Sequence, residues 1–143
     1  MDSALYNRDI LRLAASLISG DRLEHPDGVA EARSPLCGSR IQAEIETSND
    51  GTVNALALRA NACALGQASA AILLANAVGE NLKSIADIRE GVADALSGNS
   101  EMPNSWRELM LLAPAKDYPS RHAAILLPYD ALLAAAAKMK LAS

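Results

Sequence analysis

Two thiols are the groups in this chain best suited to chemistry. Cys37 lies in Pro35-Leu36-Cys37-Gly38, just ahead of an alternating segment, where a glycine's conformational freedom lets a thiol approach a ligand closely. Cys63 stands at the start of a long helix-forming run, where free amide groups and the helix dipole favour a thiolate. Thiolates are what soft metals and sulfur-transfer chemistry require. Free cysteine is also among the most buried residue types, so a packing role stands beside the chemical one for each. Their separation matches no compact zinc-finger spacing, so a four-ligand site needs groups from elsewhere. His122, Asp117, Asp27 and His25 are candidates by type, and His25, in a Pro-Asp-Gly loop, reads as solvated. There is no HExxH pattern, phosphate-gripping glycine loop or serine nucleophile elbow. Glu44 and Glu46 read as a solvated strand face, and Trp106 as a packing anchor.

The elements that must position the thiols follow from periodicity. Residues 4–19 predict an amphipathic helix, with Ile10, Leu11, Ala14, Leu17 and Ile18 at three- and four-residue steps and Gly20 as its stop. Residues 21–38 are rich in Pro, Gly and Asp, with room for a short strand at 29–33. Ile41, Ala43 and Ile45 alternate with Gln42, Glu44 and Glu46, a half-buried strand over 40–47. Asn49-Asp50-Gly51 then forms a turn into a second strand over 52–60, with Leu56 and Leu58 on one side.

Beyond it, small and aliphatic residues predict a helix over 62–78, ended by Gly79, and a second over 84–96. A short helix over 106–112 leads into a connection at 114–119. The last helix is expected to begin near Pro128, since proline suits a first turn, and to run to residue 140, with Ala134 to Ala137 permitting close packing. The order implies an α+β domain spanning 1–143, with a small antiparallel sheet packed on one face by several helices.

Composition narrows the function classes. The 143 residues are 50% hydrophobic and 21% charged, too apolar for a disordered chain and too interrupted for a membrane span. Thirteen Lys and Arg against seventeen Asp and Glu give a net charge of −4. With no basic stripe and few aromatics for base stacking, nucleic acid is not the expected partner. A single cysteine pair without a signal-peptide pattern points to a reducing cytoplasm.

Three stretches carry a resemblance to the U-type iron–sulfur cluster assembly scaffolds of the nitrogen-fixation and housekeeping pathways. They are Pro35-Leu36-Cys37-Gly38-Ser39 with the following strand and turn; Ala62-Cys63-Ala64 with Gly66, Ala68, Ser69 and Ala70; and Tyr118-Pro119-Ser120-Arg121 with Leu127, Tyr129, Asp130, Ala131 and Leu132. Order and intervals agree over residues 5–138. The resemblance implies a scaffold or carrier, not an enzyme, that holds iron or a cluster through Cys37 and Cys63. It implies a cysteine desulfurase and cluster recipients as partners, and no membrane.

The chain departs from the family pattern at the site. Where family members carry an Asp after Cys-Gly, this chain has Ser39; the last family cysteine falls on Ala124, and a histidine of some branches falls on Ala123, with His122 one position away. The chaperone-recognition stretch of the housekeeping branch is absent from the sequence. Two thiolates hold only one edge of a two-iron cluster, since each iron prefers four ligands. His122, a carboxylate, an exogenous thiol, or Cys37 and Cys63 of a second chain in a homodimer are the candidates for the rest. Two further readings follow: a cluster-free paralogue serving as a protein-interaction module, and a sulfur-transfer protein binding zinc through Cys37, Cys63 and His122.

Overall fold

A computed structural model describes residues 5–17, 22–35 and 38–142. Helix α1 (Arg8–Ser16) opens on Asn7, whose side chain accepts from the Ile10 amide, and buries Ile10 and Ala14. The helix is shorter than the expected 4–19: it starts at Arg8, where Asn7 caps it, and ends at Ser16, where Leu17 turns extended, so it stops before Gly20, which lies outside the described residues. Strands β1 (Gly28–Arg33), β2 (Arg40–Thr47) and β3 (Val53–Asn61) form an antiparallel sheet in the order β1-β2-β3. Thus the α+β expectation holds, as does the alternation: Ile41, Ala43 and Ile45 lie opposite Ala60, Leu58 and Leu56 on the buried face. In the turn between β2 and β3, Gly51 takes φ 87° and the Thr52 amide donates to Asp50 Oδ1.

Helix α2 (Ala64–Asn76) follows, with Cys63 at its N-cap. Gly79, at φ 94°, follows its end and donates its amide to Val53 O, tying the helix exit to β3. Helix α3 (Leu82–Leu96) begins two residues before the expected start, because the Asn81 side chain caps the Lys83 amide. Where a short helix and a connection were expected, the chain forms 3-10 turns over Arg107–Asp117 and Pro119–Arg121. No helix among the described residues is long and apolar enough to cross a membrane.

Helix α4 (His122–Ala142) corrects the expectation that the last helix begins near Pro128. Pro119, at the head of a 3-10 turn, takes the first-turn role, and Pro128 lies inside the helix. Pro128 has no N–H for the Ala124 carbonyl, and its ring presses on the preceding turn. At the next carbonyl, Ile125 O accepts from the buried Ser69 Oγ of α2 at 2.6 Å. A donor from another helix thus supports the turn that Pro128 weakens.

Helix α4 crosses β1 and β2, and α2 lies against β3, so one sheet face is covered. The approach at β1 is close enough that a Cβ on Gly28 would overlap Ala135 O and crowd Met139. The alanine block therefore does pack tightly. Trp106 is buried and stacks on the buried Tyr129, ring centroids 6.3 Å apart, as expected of a packing anchor.

Candidate functional site

One end of the sheet gathers the family-type positions. Arg33 pairs with Arg40, and Arg40 with Asn61, so the β1–β2 loop and the end of β3 are neighbours. The loop is closed by the Ser34 amide donating to Ser39 O and the Gly38 amide donating to Ser34 O, both at 2.9 Å. Gly38 takes φ 70°, the left-handed conformation that favours glycine and that the sequence context of Cys37 anticipated. Cys37 itself lies outside the described residues. Ser39 is buried, as is Ser34, whose hydroxyl has no hydrogen-bond partner among the described residues.

Two residues after β3 ends, Cys63 caps α2. Its backbone is extended and its side chain makes no capping hydrogen bond. It is a free thiol, half-buried, touching the core on one side and open to solvent on the other. Gln67 braces this first turn: its amide donates to Cys63 O at 2.9 Å and its side chain to Ala62 O at 3.1 Å. The orphan amides of a helix start are where a thiolate is favoured.

Ala124 lies in the first turn of α4, buried beside the same end of α2. A Cβ on Gly66 would stand 3.4 Å from Ala124 O, 3.7 Å from Ala124 Cβ and 3.0 Å from Ala62 Cβ. A small residue at 66 thus lets the two helix starts approach, and a methyl fills the space facing it. Sequence reasoning passed over the packing role of Gly66; its spacing from Cys63 within a small-residue run was the available signal.

His122 opens α4, half-buried, with Nε2 2.8 Å from Ala115 O. If that nitrogen carries the proton, Nδ1 is the nitrogen with a free lone pair. Asp117 is exposed at the end of the 3-10 segment. Asp27 is drawn to the opposite end of the sheet, its Oδ2 accepting from the Thr47 amide at 2.9 Å, with the exposed His25 two residues before it. The eight-residue β2, roughly 25 Å long, separates that end from Arg40. Glu44 is not simply solvated: its Oε1 accepts from the Leu23 amide at 2.9 Å. Among the described residues no group of three or more His, Cys, Asp or Glu is placed to hold a metal ion.

No protein-family model matches the chain. It is 24% identical over 135 residues to the iron–sulfur cluster assembly scaffold protein IscU of Thermotoga maritima, spanning 94% of both chains. The crystal structure of the N-terminal part of a NifU-like protein from Brucella abortus superposes with a TM-score of 0.91 at 30% identity, covering 99% of this chain and 98% of that one. A SufU structure from Fervidobacterium islandicum shares the fold, with a TM-score of 0.85 at 18% identity over 94% of this chain and 98% of that one. With the sheet, the Cys63 cap and the Gly38 turn arranged as described, the chain belongs to the U-type scaffold family of IscU, NifU and SufU, as a divergent member with two cysteines.

Proposed function

We propose that the protein is an iron–sulfur cluster assembly scaffold or carrier of the cytoplasm, holding iron or a cluster as cargo through Cys37 and Cys63. The observation that carries this reading is the half-buried, uncapped Cys63 thiol at a helix start in a chain of scaffold-family fold. Gly38, bonded to Cys37, belongs to the β1–β2 loop at the same end of the sheet, so the two thiols are candidates for one edge of a two-iron cluster. Ala124 supplies no ligand, and the remaining positions fall to His122 through Nδ1, an exogenous thiol, or a second chain's cysteines in a homodimer. Such incomplete ligation favours release of the cargo to a recipient, with sulfur supplied by a cysteine desulfurase.

A second reading, a cluster-free interaction module, is favoured by the buried methyl of Ala124 and by Ser39 at the family's Asp position. Anaerobic reconstitution with ferrous iron, sulfide and thiol separates the two. The scaffold reading expects a sulfur-to-iron charge-transfer band with matching iron and sulfide content, lost in both Cys37→Ala and Cys63→Ala. A parent protein that takes up neither iron nor zinc would overturn it in favour of the second reading. Zinc bound without sulfide, and lost in His122→Ala, would mark the zinc-dependent sulfur-transfer alternative instead.

A further inference from the structure

We propose that the uncovered face of the sheet, at the end where Arg33 meets Arg40, docks a carboxylate-rich segment of a partner protein. Strand alternation and register put Arg33, Arg40 and Arg59 on that face, with Arg33 directly opposite Arg40 and Arg59 opposite Gln42. Like charges set directly opposite across strands are destabilising, so the fold gains nothing from this pairing. The local compensation is slight. Glu31 pairs with Arg33, whose side chain is 68% exposed. Its carboxyl is held below the usual range first by the hydrogen bond from Arg33, opposed by burial, with smaller lowering contributions from the charges of Arg33 and Arg40 and a hydrogen bond from Gln42.

Glu44, on the same face but closer to the far end of β2, is occupied by the Leu23 amide, and Arg59 enters no ion pair among the described residues. A three-arginine cluster with one carboxylate therefore stands on a chain whose net charge is −4. Arginine's planar fork binds carboxylates two-pronged, and a local field opposite in sign to the whole chain selects an acidic partner surface. The scarcity of aromatics argues against nucleic acid as the occupant. This inference is independent of what the cysteines hold.

The test is a titration of the full chain with an oligoglutamate peptide at low ionic strength, followed by amide chemical shifts. Shifts should concentrate at Glu31, Arg33, Arg40, Gln42 and Arg59 and fade with added salt. Arg40→Gln and Arg59→Gln should each bind roughly threefold more weakly or worse, whereas Lys83→Gln, on the exposed side of α3, should bind as the parent does. Thermal unfolding of Arg40→Gln should be no lower than the parent's, which separates lost docking from lost folding. Absence of binding, binding unchanged in both arginine variants, or equal binding of a DNA duplex to the same face would each overturn the proposal.

Discussion

On its covered face the sheet presses Gly28, Ala30, Ile41, Ala43, Ile45 and Leu58 against helices so closely that Gly28 cannot carry a side chain. On its open face the same strands carry Val29, Glu31, Arg33, Arg40 and Arg59, with Val29 46% exposed and two arginines opposed without steric need. Shape constrains the first face and charge the second. Substitutions on the covered face should therefore act through volume and hydrogen bonding, and those on the open face through ionic interactions.

The sharpest break of this contrast is Gly28→Val, which must displace α4 from β1. It should cost about 3 kcal/mol or more in denaturant unfolding, while Val29→Ala, one residue along, should stay within about 0.5 kcal/mol. Equal effects would mean that α4 does not constrain β1. Next is Ser69→Ala, expected to cost about 1–3 kcal/mol because the Ile125 carbonyl loses its buried donor beside Pro128. A double variant with Pro128→Ala should be more stable than Ser69→Ala alone, through a different group: the Ala124 carbonyl regains its helical donor, while Ile125 O stays without the serine.

Tyr129 sharpens the contrast from the other direction, because its buried hydroxyl has no hydrogen-bond partner among the described residues. Burial raises the phenol's pKa above its ordinary 10.0, so its neutral form is the one the fold accepts. That stability is fully present below the unfolded value and is lost as pH rises beyond it. Tyr129→Phe should fold at least as stably near neutrality and lose less stability above pH 10 than the parent. The smallest effect belongs to Glu31 on the open face. Its folded pKa lies below the ordinary 4.5, so its contribution is present above that value and is lost as pH falls through the lower, folded one. Glu31→Gln should slightly flatten acid unfolding, and salt should erase the difference.

Much of the architecture was legible because local periodicity encodes it. Alternation located β2 to the residue, Asn49-Asp50-Gly51 located its turn, and the small-residue run located α2 with Cys63 at its head. Pro128 was misread because a proline suits a helix start by its own chemistry, and only Ser69, 56 positions from its acceptor Ile125, reveals why it is tolerated inside one. At the candidate site the Cys63 cap and the left-handed Gly38 could be read from adjacent residues. The grouping of possible ligands could not: Asp27 and His25 share the residue types of a metal site, yet pairing to Thr47 carries them to the far end of the sheet.

What the sequence determined alone is whatever depends on neighbours within a turn or a strand: element types, the buried face of β2, the thiol at a helix start, and the missing cysteine at Ala124. What only the tertiary structure decided depends on groups distant along the chain meeting at fixed register. The closure of the α2 and α4 starts around Gly66 and Ala124 is one case, and the apposition of Arg33 and Arg40 is another. Backbone pairing and close packing set those contacts, and a one-residue shift of register would turn the arginines into the core and the isoleucines into water.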